Sequence, residues 1–167
     1  MGEYVLYFAQ EQTKSELVPK SLSHRFYMAY RADASQNNGQ SILPRYTSID
    51  IRYGNADIAR VQSMAAAHAL DIQDRLFVFD GGFSDTIDDI ILCVESFIHQ
   101  TGRTPVVILD YLQIIESPNS QRTLDSKDKI DQIVKKLKQL QLKHTMTIIV
   151  VSSLNRLNYT MPIELES

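Results

Sequence analysis

Among 167 residues there is a single cysteine, Cys93, so no intrachain disulfide can staple this fold. Cys93 lies in the apolar run "IILCVESF", where a thiol reads as a small buried hydrophobe rather than a nucleophile. No apolar run approaches the ~18 residues needed to span a bilayer, and the N-terminus shows no basic segment leading into an apolar stretch and a small-residue cleavage site. Those absences point to a cytoplasmic protein with no membrane segment. A strong charge of either sign is missing too: 17 Lys and Arg face 20 Asp and Glu, a net charge of -3. Without a global basic field, any contact with nucleic acid has to come from a local patch. His24, His68, His99 and His144 are scattered, with no pair three or four residues apart, which leaves no histidine-based metal site in view. Repeats and low-complexity tracts are lacking, and nothing reads GxxxxGK[ST], the Gly-rich loop whose backbone N–H groups and lysine cradle phosphates.

What is there is an ordinary globular composition, 44% hydrophobic, long enough for one domain with a core. Four short runs, "YVLYFA" (4–9), "RLFVFD" (75–80), "PVVILDY" (105–111) and "TIIVVSS" (147–153), are apolar on both faces, as expected of strands covered by helices on either side. Helical patterns separate them. Thr13 with Glu16 reads as a capping box opening a helix through about Tyr30. A second helix is expected over Asp57 to Leu70. In a third, capped by Asp85 or Thr86, Ile87, Ile90, Ile91, Val94 and Ile98 share one face, and in a fourth Ile130, Ile133, Val134, Leu137 and Leu140 repeat the stripe. Alternating strands and helices predict an α/β domain with a parallel sheet, 1–167 forming one unit. The polar segment 31–55 reads as a surface excursion and "ESPNSQRTLDS" as a second loop.

In open parallel sheets ligands bind beyond the carboxyl ends of the strands, so the polar residues closing each run carry the chemistry: Gln10 and Glu11, Asp80, Asp110, and Ser152 with Ser153. Asp110 follows four aliphatic residues and fits an acid that holds hydrated Mg²⁺ against nucleotide phosphates. The plainer reading is a strand-end aspartate capping a turn. Asp80, before Gly81 and Gly82, reads as a turn residue. Lys127, Lys129, Lys135, Lys136, Lys138 and Lys143 fit a solvated helix face better than a phosphate track.

"VLYFAQEQTKSEL", "VVILDYLQII" and "IIVVSSLNR", in that order and spacing, resemble the motor domain of DnaB-like replicative DNA helicases, a branch of the RecA-like ATPases, over nearly the whole chain. The resemblance implies a RecA-like P-loop NTPase core, ATP and Mg²⁺ as cofactors, a homo-hexameric ring acting on single-stranded DNA during replication, and a primase or loader as partner. Carried over by residue, it makes Asp110 the Walker B aspartate that positions Mg²⁺ and Glu11 the base that activates the attacking water. Ser153 falls where the family usually has a glutamine that senses the γ-phosphate, and serine reaches about two to three bonds less far. Arg122, Asn155 and Arg156 fall where DNA or subunit contacts would be made. The missing phosphate loop implies an interior piece of the motor domain, inactive alone, with the sheet order Arg75 strand, Tyr4 strand, Val106 strand, Thr147 strand, then the absent phosphate-loop strand. Its absence would bare an apolar edge at "TIIVVSS" with no charged gatekeeper, which invites self-association. Two other readings stay open: a RecA-like recombinase or clamp-loading paralogue, and a non-catalytic scaffold that has lost its phosphate loop.

Overall fold

The computed structural model describes residues 3–80, 86–110, 112, 115 and 126–152. Four parallel strands, β1 (Val5–Ala9), β2 (Leu76–Asp80), β3 (Val106–Asp110) and β4 (Ile148–Val150), form one sheet in the order β2-β1-β3-β4. The expected sheet order for these four strands is the one found. β4 is shorter than expected, three residues in place of 147–153, although Val151 still bonds Leu109 and Leu112 beyond the strand end.

Five helices connect the strands: α1 (Lys14–Gln36), α2 (Ser48–Arg52), α3 (Ile58–Ile72), α4 (Ile87–Thr101) and α5 (Ser126–His144). Local chemistry sets their starts. The Glu16 carboxylate accepts from the Thr13 backbone N–H at 3.3 Å, Asp57 from Arg60 N–H at 3.1 Å, and Thr86 from Asp89 N–H at 3.2 Å. Of the two caps proposed for α4, Thr86 is the one seen. The expectation of a loop from residue 31 is corrected at both of its ends. α1 runs on to Gln36, and a Thr47–Asp50 capping box, with bonds of 2.9 and 3.1 Å, winds α2 out of the same polar segment. Polar side chains that cap one another can start a helix without an apolar stripe, which is why periodicity passed over it.

The core lies on one face of the sheet. Leu6, Phe8, Val107 and Leu109 are fully buried beneath Ile87, Ile90 and Val94 of α4 and Ile133, Leu137 and Leu140 of α5. Phe8 stacks on Phe79 with centroids 4.8 Å apart. α4 and α5 are also tied by charge, Lys136 to Asp88 and Lys143 to Glu95, so two of the α5 lysines brace a helix pair. Cys93 is half-buried against this core, and burial pushes its thiol pKa up, away from a reactive thiolate. The other face, with Val5, Tyr7, Val78, Ile108 and Ile149, is only half-buried, and Ile149 keeps 48% of its surface. Coverage on both faces, as the strand pattern predicts, is therefore not found. Among the described residues no helix is long and apolar enough to cross a membrane.

Candidate functional site

The connections turn around at β1. From β1 the chain moves to β2 on one side; from β2 it crosses back to β3 and on to β4 on the other. Right-handed crossovers in opposite directions put their helices on opposite faces, and the chain leaves the adjacent ends of β1 and β3 in diverging directions. The crevice so formed at the carboxyl ends of β1 and β3 is where an open α/β sheet binds ligands. Register brings Ala9 level with Asp110 there, and Gln10 N–H donates to the Asp110 carbonyl at 2.7 Å. Glu11 is the next residue, exposed, on the β1–α1 loop. The two carboxylates singled out in the sequence thus come from the two strand ends that flank the switch point.

Asp110 is half-buried, and its Oδ2 accepts a 2.6 Å hydrogen bond from the Tyr7 hydroxyl, 103 residues away in sequence. Tyr7 and Asp110 can meet because paired residues of parallel strands share a face, which places Val5, Tyr7 and Ala9 with Val106, Ile108 and Asp110. Burial first, then the bond to Asp110 and its charge, push the Tyr7 pKa up to about 12. The phenol therefore stays a donor, and it fixes one carboxylate oxygen while the other has no partner in the described structure.

The Glu11 loop is held at both ends. Gln10 is bonded to Asp110, and Lys14 N–H, at the first residue of α1, donates to Asp80 Oδ2 at 3.0 Å, with Lys14 Nζ 3.6 Å from Asp80 Oδ1. The bond from the Lys14 backbone is the main reason the Asp80 carboxyl is held below the usual carboxylate range. Asp80 was read as a turn residue; the bond to α1 gives it a longer reach, because an acid near a helix start satisfies an otherwise unpaired N–H and meets the positive end of the helix. Sequence reasoning missed both Tyr7 and Asp80 as site residues. For Tyr7 the only signal is its even spacing, two residues before Ala9, on the face of Asp110.

Among the described residues no group of three or more His, Cys, Asp or Glu could hold a metal by itself. A single hard carboxylate with one oxygen fixed and one left over does suit a cation that keeps its waters and takes its remaining ligands from phosphates, the habit of Mg²⁺. Ser153, Asn155, Arg156 and Arg122, named from the sequence, lie outside the described residues, as do Tyr111 and Gln113.

The sequence pattern of the DnaB-like helicase C-terminal domain matches residues 2–161. The chain belongs to that family. Two solved structures share its fold. One is a helicase-type ATPase domain, at TM-score 0.68 and 18% identity, covering 95% of this chain and 50% of that one. The other is a DnaB-like replicative helicase studied with its primase interactions, at TM-score 0.65 and 19% identity, covering 95% and 34%. This chain thus spans about half of the first and a third of the second. The shared fold is the α/β sheet-and-helix core of RecA-like helicase ATPase domains. A comparison with curated proteins gave no match. In DnaB-like terms, the crevice between β1 and β3 is therefore the place to look for nucleotide chemistry.

Proposed function

We propose that this chain is part of the motor of an ATP-driven, ring-forming DNA helicase acting in the cytoplasm during replication, and that it contributes the two carboxylates of the hydrolytic site. The observation that carries the reading is the meeting of the Glu11 loop with Asp110 at the switch point, through the 2.7 Å bond from Gln10. Membership of the DnaB-like family supports it.

In this reading Asp110 would hold Mg²⁺ through a water, using the carboxylate oxygen that Tyr7 leaves open. When bound, the ion would neutralise the phosphate charge that grows as the γ-phosphoryl leaves. Glu11 accepts a proton from the attacking water, a role that suits an acid on a short loop held at both ends. Asp80 holds α1, and through it the loop, in register with β3. Ser153 takes the position of the γ-phosphate sensor, and Arg122, Asn155 and Arg156 make DNA or subunit contacts. The ring is a homo-hexamer on single-stranded DNA, with a primase or loader as partner.

The sequence contains no phosphate loop, so the chain alone should not turn over ATP. The test is magnesium-dependent phosphate release by the 167-residue chain. No release above background is expected. Turnover that Glu11→Gln abolishes would overturn the half-site reading.

A further inference from the structure

One stripe of α1 is built from cations and an aromatic. Lys20, His24, Tyr27 and Arg31 follow at intervals of four, three and four residues and so share one helix face. The segment between α1 and α2 brings Arg45 to the same place. Arg45 lies over the rings of Tyr27 and Tyr30, at 5.5 and 5.3 Å from their centroids, and Arg31 lies over Tyr27 at 5.9 Å. Beside them Lys20, His24, Tyr27, Arg45 and Tyr46 line a groove of about 360 Å³.

The charge there is uncompensated. Nearby acids are committed elsewhere: Glu16 to Arg52 and the Thr13 N–H, Asp50 to the Thr47 N–H, and Asp33 to Ser41 and Asn37. Among the described residues no carboxylate pairs with Lys20, Arg31 or Arg45. Two guanidinium groups drawn to one tyrosine ring repel each other, and an anion between them would relieve that repulsion. Around the cations stand exposed aromatic faces. Tyr27 keeps 41% of its surface, and Tyr53, at the end of α2, keeps 70% with Arg52 5.9 Å from its centroid. A cationic groove with stacking platforms along it is how proteins grip a single nucleic-acid strand without reading its sequence.

We infer that the α1–α2 groove is a binding site for single-stranded nucleic acid, with Lys20, Arg31 and Arg45 on the phosphates and Tyr27 and Tyr53 on the bases. It stands apart from the carboxylate crevice and does not depend on the nucleotide reading. It meets the need for a local patch in a chain whose net charge is -3. α1 also starts at the Glu11 loop, so a strand held along its shaft pulls on the element that Asp80 pins.

The experiment is fluorescence anisotropy of a labelled thymidine oligonucleotide, about twenty nucleotides long, titrated with the whole chain at several salt concentrations. Saturable binding is expected. Arg31→Ala with Arg45→Ala should weaken it at least about tenfold and reduce the log–log salt slope by about 1.4, the share of two phosphate contacts on a single strand. Tyr27→Leu should weaken it about tenfold with little change of slope. Lys127→Ala with Lys135→Ala removes the same charge from α5 and should bind as the wild type does. Arg45→Lys, which keeps the charge and loses the planar fork, should fall between wild type and the double variant, and circular dichroism checks that each variant is folded. The inference is overturned if the wild type does not bind, if the α5 variant weakens as much as the groove variant, or if labelled polyglutamate binds in preference to the oligonucleotide.

Discussion

Leu6, Phe8, Val107 and Leu109 point from β1 and β3 into a face sealed by α4 and α5, whereas one residue along the same strands Val5, Tyr7, Ile108 and Asp110 point into a face that stays half-open. The contrast separates two tasks performed by the same two strands. Close packing on the first face fixes the strands and sets the register, and the register on the second face aligns the Glu11 loop with Asp110. A polar site needs such a rigid backing, because its own hydrogen bonds contribute little net stability.

Side-chain truncation should expose the contrast most strongly. Phe8→Ala removes a fully buried ring stacked on Phe79 and should cost about 3–5 kcal/mol in urea unfolding. Ile149→Ala, on the half-open face, should cost less than about 1 kcal/mol. Similar losses at the two positions would remove the distinction.

Tyr7→Phe is the next largest expected effect, about 1 kcal/mol for one partly exposed charge-assisted bond. It has a signature in pH. A tyrosine whose folded pKa is raised to about 12 stays protonated after the unfolded chain has ionised near its ordinary value of 10.0. Stability should therefore fall as pH rises from about 10 to about 12, and Tyr7→Phe should flatten that fall. A wild-type unfolding curve that is flat over this window would contradict the Tyr7–Asp110 bond.

A smaller, local effect is expected at Asp80. Its depressed carboxyl pKa means that its contribution is present above the usual carboxylate range and lost as pH falls through its folded value. Asp80→Asn should speed exchange of the Lys14 amide proton, with little change in protection of the β3 amides. Equal loss at both places would mean that Asp80 supports the whole sheet rather than the Glu11 loop.

Least affected in stability should be the β4 edge, where Ile149, Val150 and Val151 keep 48, 38 and 44% of their surfaces. The chain should associate with rising concentration in small-angle scattering, and Ile149→Lys should suppress this, since a charge on an apolar edge blocks strand pairing. A wild-type profile that stays monomeric at high concentration would contradict it.

The same two faces mark what the sequence could convey. The four strands, their order and the stripes of α4 and α5 were legible because apolar runs and a 3.6-residue period are local signals. Glu11 and Asp110 were legible because both close such runs. The half-open face was not, because an apolar strand residue reads the same whether or not a helix covers it. Tyr7 with Asp110, and Asp80 with Lys14, join residues 103 and 66 apart, so only the folded register reveals them. α2 escaped because capping side chains rather than a hydrophobic stripe form it. The α1 stripe was present at helical spacing, but Arg45, which completes it, comes from a segment read as plain loop.

Whether Glu11 and Asp110 work as a pair is tested most directly by steady-state ATP hydrolysis in a protein that joins this chain to a phosphate loop. Glu11→Gln should lower kcat by on the order of a hundredfold or more with KM little changed, as expected for a lost general base. Asp110→Asn should raise the magnesium concentration needed for half-maximal activity. Turnover unchanged by both substitutions would contradict the pairing.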